Sequence, residues 1–243
     1  MAPDWIRPEW PAPGRVRALS TTRLGGVSAG PYASLNLGEH VGDDPKSVAV
    51  NRERLQERLG LAKLRWLKQV HGIRVIADGG SMEEAADASV TRQAGTACVI
   101  MTADCLPVIF CDKYGTKVAA AHAGWRGLSA GVLEAALKSM DVAPKDVLAW
   151  MGPAIGPQAY EVGDEVRDAF VRHSAQAAQA FMAGKVPGKW WCDLYGLARQ
   201  RLEAAGVASI HGGGLCTFSD EQRFFSFRRD GQCGRMATLV WLE

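Results

Sequence analysis

The chain has 243 residues, 47% hydrophobic and 22% charged, which is ordinary for a soluble globular protein long enough to bury a core. Its 28 basic and 26 acidic residues leave a net charge of +2 with no basic run or stripe, which excludes nucleic acid and anionic membrane as obligatory partners. MAPDWIRPEWPAPG lacks the apolar core of a signal peptide, and no stretch reaches the roughly 18 apolar residues of a spanning helix, so a cytoplasmic protein is expected.

No repeat or low-complexity linker divides the chain, and a single domain over residues 1–243 is the expectation. GRVRALSTTR (14–23) reads as a strand entering a glycine-rich turn. Asp44-Pro45 has N-cap and N1 chemistry, and Val48, Arg52, Leu55 and Leu59 keep helical spacing until Gly60. LRWLKQVHG and IRVIADG read as two short strands joined around Gly72. TACVIMTADCLPVIFCD and TKVAAAHAG are apolar strand runs, broken by Pro107 and by the turn DKYG, and a helix is expected from about Leu128 to Met140. VLAWMGPAIG reads as a strand, EVGDEVRDAFVRH and CDLYGLARQRLEAAGV as helices, and RMATLVWL as a closing strand. Strands that adjoin strands without helical crossovers favour an α+β fold with mixed sheets.

His71, Cys105 and His122 interrupt this map at the ends of apolar runs, where scaffolds present chemistry. Two imidazoles and a thiolate suit zinc, and three protein ligands leave a fourth position open for substrate. The small neighbours Ala121, Ala123 and Gly124 would let metal and substrate approach an uncovered His122. Separations of 34 and 17 residues make the spacing alone a weak motif. The other cysteines, Cys98, Cys111, Cys192, Cys216 and Cys233, form no CxxC pair, and most read as buried thiols.

The wording around these residues is more specific. TTRLGGVSAGPYASLNLG, HVGDD, KQVHG, TADCLPV, AHAGWRG, MGPAIG with YEVG, and FFSFRRDGQCGRMATLVWL occur in this order. In that combination the chain resembles the YfiH-like family, also called the laccase-domain, polyphenol-oxidase or peptidoglycan-editing-factor family, from about Ala18 to Leu242. The resemblance implies a layered α/β sandwich similar to the catalytic domain of cytotoxic necrotizing factor, and a metal site at His71, Cys105 and His122. It also implies a zinc-dependent purine nucleoside phosphorylase acting on inosine, adenosine and methylthioadenosine, with adenosine deaminase activity. Copper-dependent phenol oxidation fits less well: five histidines without a His-x-His pair do not make a multicopper site, although Met101 could serve a single copper as an axial ligand. A cysteine amidohydrolase that edits peptidoglycan precursors would use Cys105 and His122 as nucleophile and base, which leaves His71 superfluous.

Purine chemistry needs a proton shuttle, for which Asp104 is the candidate, the alternative being a strand-end cap. Phosphate needs cations or amides; Arg23 among its glycines comes first and Arg126 second, either of which could instead be structural. Gln69 and Asn36 offer amides for a purine edge or ribose hydroxyls, or for loop backbone. Trp125, Phe224 and Phe225 read as core aromatics, Arg228 and Arg229 as a solvated or ion-paired face.

Overall fold

The structure, a computed structural model, describes residues 4–81 and 84–243. Two mixed sheets stack face to face, with helices on both outer surfaces. The first sheet draws on β1 (Val16–Ser20), β2 (Lys63–Arg65) and, after β3 (Val75–Ile76) and β4 (Ala88–Thr91), on β5 (Thr96–Thr102). Next come β6 (Leu106–Asp112), β7 (Val118–Ala123), β8 (Val147–Met151), β9 (Glu161–Gly163), β10 (Phe181–Ala183), β11 (Lys189–Cys192), β12 (Ser209–Gly212) and β13 (Met236–Leu242). The four-stranded sheet has the order β1-β13-β5-β2, the six-stranded sheet β12-β8-β6-β7-β4-β3, and a small third sheet β10-β11-β9.

Strand alternation sorts the core into layers. Cys98 and Ile100 of β5 and Val240 of β13 meet Ile109 and Cys111 of β6 and Val118 and Ala120 of β7 between the two sheets. The opposite face of the six-stranded sheet, with Val108, Phe110, Ala119 and Ala121, packs under helices that contribute Leu133, Met140, Leu197 and Leu202. The outer face of the four-stranded sheet, with Val99 and Leu239, is covered by Leu55 of a helix at Pro45–Leu59. This is the mixed α+β sandwich that the run of adjoining strands implies.

Local chemistry explains the elements. The helix Pro45–Leu59, α1, starts where Asp44 accepts from the amides of Lys46 and Ser47 and ends at Gly60, whose φ of 63° only glycine adopts without strain. The helix expected from Leu128 starts earlier and is two: α2 (Trp125–Ala130) and α3 (Val132–Met140), parted by Gly131 at φ 104°. Pro107 does not break its strand. It sits second in β6, where Gly152 donates to its carbonyl and no return N–H is needed. LRWLKQVHG and IRVIADG do not pair with each other: β2 pairs with β5 in one sheet and β3 with β4 in the other. EVG of EVGDEVRDAFVRH is β9, and the helix α4 follows at Asp164–Val171. CDLYGLARQRLEAAGV forms α5 (Leu194–Ala204), and a one-turn helix, α6 (Phe227–Asp230), precedes β13.

Candidate metal centre and substrate cleft

The register brings the three candidate ligands to one edge of the sandwich. Leu106 pairs with Ala123 and Pro107 with His122, so Cys105, just before β6, lies beside the end of β7. Residues 103–105 form the short crossing from β5 in one sheet to β6 in the other. His71 comes from the second crossing, between β2 and β3, and is held in the left-handed region at φ 62°. A fourth residue organises them. Ala88 pairs with Ala121, so Asp87 stands opposite His122. One oxygen of Asp87 accepts from His122 Nδ1 at 2.7 Å and from the His71 amide at 2.9 Å; the other accepts from the amides of Val70 at 3.1 Å and Gly72 at 2.6 Å. Asp87 is fully buried, and these bonds fix both the rotamer of His122 and the unusual backbone of His71.

Cys105 Sγ lies 3.7 Å from His71 Nε2, and the three donor atoms all lie within 4.8 Å of one another. A sulfur and a nitrogen on one tetrahedral zinc stand about 3.6 Å apart, given the usual bond lengths. With Nδ1 of His122 committed to Asp87, Nε2 is left for a metal. Space agrees with the donors: a Cβ at Gly124 would sit 2.8 Å from His71 Cδ2 and 3.0 Å from Cys105 Sγ. Electrostatics agree as well. Burial pushes the Cys105 thiol up, but the two imidazoles outweigh it and bring it down to about 6. Burial pushes His122 down, and the facing thiolate and Asp87 reverse this to about 9. Burial raises the Asp87 carboxyl, yet His122 and the loop amides hold it below the usual range. A thiolate and a carboxylate flanking imidazoles make a pocket that favours one added positive charge, and the donor set therefore fits a zinc ion.

Two cavities flank Cys105. One of about 320 Å³ is lined by His40, Gln69, His71, Met101, His122, Phe227 and Arg235, among others. The other, about 240 Å³, is lined by Asp104, Trp125, Arg126, Ile155, Tyr160, Phe227 and Arg228. The sequence-derived residues divide accordingly. Gln69 lines the first cavity, but its amide already pairs with both backbone groups of Met101 at 2.8 Å. Arg126 lines the second and stacks on Trp125, paired with no carboxylate among the described residues. Asp104 faces the same cavity, with its oxygens accepting from Thr217 Oγ1 at 2.7 Å and the Arg228 amide at 2.6 Å. Arg23 and Asn36 are not brought to either cavity. Arg23 donates to the carbonyls of Ala33 and Glu221 and lies over Phe225, tying loops together. Asn36 is fully buried and bonds to Gly38, Asp43 and the Arg235 amide.

His122 is not uncovered; it is 3% exposed, and Ala121 and Ala123 face the helices, so Gly124 alone among the small residues clears the triad. Asp87, Arg235 and Phe227 escape sequence reading as site residues. The signal for Asp87 is a lone acid in the apolar AADASV, ahead of a strand. Phe227 and Arg235 reach the edge because Met236 pairs with Thr102, which places the segment before β13 beside the end of β5.

The fold and the site together define a layered α/β protein with an open, three-donor candidate metal centre where strands cross between sheets. The chain belongs to the YfiH family: the family described as multi-copper polyphenol oxidoreductase laccase matches residues 17–243. It is 58% identical to a purine nucleoside phosphorylase of Pseudomonas aeruginosa, over 98% of each chain. It is 52% identical to the purine nucleoside phosphorylase YfiH of Escherichia coli, again over 98% of each. A crystal structure of a Neisseria meningitidis protein superposes with a TM-score of 0.95 at 50% identity, covering 99% of both chains. YlmD from Geobacillus stearothermophilus gives 0.91 at 34% identity, covering 100% of this chain and 97% of the other. Among the described residues, no helix is long and apolar enough to cross a membrane.

Proposed function

We propose that the chain is a cytoplasmic zinc enzyme that splits purine nucleosides with phosphate and deaminates adenosine at the same centre. The observation that carries this reading is the juxtaposition of the triad with two cavities bearing arginines: Arg126 and Arg228 on one side of Cys105, Arg235 on the other. The names of the relatives, purine nucleoside phosphorylases, support the phosphorolytic half of this reading. His71, Cys105 and His122 would hold the zinc, which when bound supplies a Lewis acid facing the cleft.

The chain's own residues then divide the work. Phosphorolysis breaks the bond between ribose C1′ and the base, forms a bond from C1′ to a phosphate oxygen, and passes through a cationic ribose. Arg126, with no carboxylate partner among the described residues and with Arg228 beside it, attracts the phosphate dianion and holds it against the positive charge developing at C1′. Asp104 moves a proton to the leaving base only by giving up its bond to Thr217 or to the Arg228 amide. The deep placement of His122 and Asp87 keeps water from the protected side of the centre.

Copper oxidation has less in its favour. Among the described residues one His/Cys/Asp/Glu group could hold a metal, and the sulfur of Met101 accepts from Arg52 at 3.6 Å.

The test is chromatography of products from inosine and adenosine with and without phosphate. Base release that saturates with phosphate and yields ribose 1-phosphate, with phosphate-independent conversion of adenosine to inosine, is the expected result. Equally fast release without phosphate makes the protein a hydrolase. No nucleoside turnover beside cleavage of a misassembled muramyl peptide precursor makes it an editing amidohydrolase.

A further inference from the structure

Three aromatic side chains line the two cavities, and they are not equivalent. The Trp125 ring carries the Arg126 guanidinium at 4.4 Å, and the Tyr160 ring carries that of Arg228 at 5.2 Å. Both rings are part-buried and spend a face on a cation. Phe227 is 59% exposed, stands on the wall that the two cavities share, and has its guanidinium neighbour, Arg235, at 5.9 Å, near the outer limit of cation–π contact. Phe224 and Phe225, which the sequence marks as core aromatics, are fully buried.

An apolar ring left in water beside charged groups loses free energy unless something planar covers it. The backbone beneath Phe227 is held firmly. Ser226 Oγ accepts from the Arg229 amide at 3.2 Å, and Asp104 accepts from the Arg228 amide at 2.6 Å. The Arg229 guanidinium donates to the carbonyls of Thr217, Phe218 and Phe224, each at 2.9 Å. Asp104 is the residue before Cys105, so the ring is registered to the candidate metal centre through one side chain. On the nucleoside reading above, we propose that Phe227 is the platform on which the purine base stacks, with the ribose over Cys105 and the phosphate on the Arg126 side. Asp104 thereby acts as a positioning residue for the base in addition to any proton it carries.

The experiment compares Phe227→Ala, Phe227→Leu and Phe227→Trp with wild type, using KM for inosine, KM for phosphate, zinc content, and quenching of 2-aminopurine riboside fluorescence on binding. Because the side chain is exposed, all three variants fold. Alanine and leucine are expected to raise the inosine KM roughly 10-fold to 100-fold and abolish the quenching, the range that base–aromatic stacking supports. Tryptophan keeps both within about threefold, and phosphate KM and zinc content stay at wild-type values in every variant. An unchanged inosine KM in Phe227→Ala, or a parallel loss of phosphate affinity or zinc, overturns the platform. Wild-type protein that neither binds the riboside nor cleaves inosine overturns the nucleoside reading itself and the platform with it; the two failures are told apart by whether wild type is silent.

Discussion

Asp87 ties the candidate centre together from behind, since one buried carboxylate orients His122 and accepts from three consecutive amides of the His71 loop. Asparagine there would point an N–H₂ at amides that need an acceptor. Asp87→Asn is therefore expected to weaken zinc binding roughly 10-fold to 100-fold in chelator competition, the usual effect of losing a partner behind a ligand. Zinc affinity equal to wild type would show that the loop and His122 hold themselves. For the ligands, about one zinc per chain is expected from elemental analysis. Undiminished zinc in both Cys105→Ala and His122→Ala would remove the metal site from this triad. The arginines separate cleanly by their partners. Arg126→Ala should raise KM for phosphate, whereas Arg23→Ala should lower stability and leave phosphate kinetics alone, because its guanidinium is spent on Ala33, Glu221 and Phe225.

Elements meet through a few committed side chains. Arg65 of β2, 3% exposed, crosses to the other sheet, donating to the Val90 carbonyl at 2.8 Å and to Asp78 at 3.0 Å. Burial raises the Asp78 carboxyl, but Thr91, the Arg92 amide and Arg65 together hold it below its ordinary 3.8. A depressed carboxyl contributes stability that is present above the unfolded value and lost as pH falls through the folded one. Asp78→Ala should cost about 3 kcal/mol at neutral pH, because it leaves a buried guanidinium without its partner. It should also flatten the acid limb, so that the urea midpoints of variant and wild type stay apart at neutral pH and converge only as the pH falls below about 4. Parallel midpoints through that fall would mean the pair does not link the sheets. Where β7 passes into α2, the tolerance is geometric: Gly124→Ala places a methyl against His71 and Cys105, and zinc occupancy should fall although the substitution is conservative.

Across the whole molecule, the candidate metal site lies at the rim of a structure with large cores of its own, between the sheets and under each helix layer. A chain of this length holds its core without a metal staple. Removing zinc with a chelator, or making His71→Ala, should abolish turnover while lowering Tm by only a few degrees. Unfolding on chelation would instead make the metal structural and favour a binding module over an enzyme.

The sequence alone determined what depends on neighbours in the chain. Asp44, Pro45 and Gly60 bound α1 through caps and a left-handed φ, and apolar runs mark β5, β6, β7 and β13, because capping and alternation are local effects. Motif wording also carried the family, and with it the three candidate ligands. Only the tertiary structure decided which polar residues share the edge. Asp87 faces His122 because β4 pairs with β7, and Phe227 and Arg235 arrive because β13 pairs with β5, register choices that no local pattern encodes. The same long-range pairing took Arg23 and Asn36 away: each satisfies loop backbone that folding had to bury, and a buried polar group is held by its partners before it is available to a ligand.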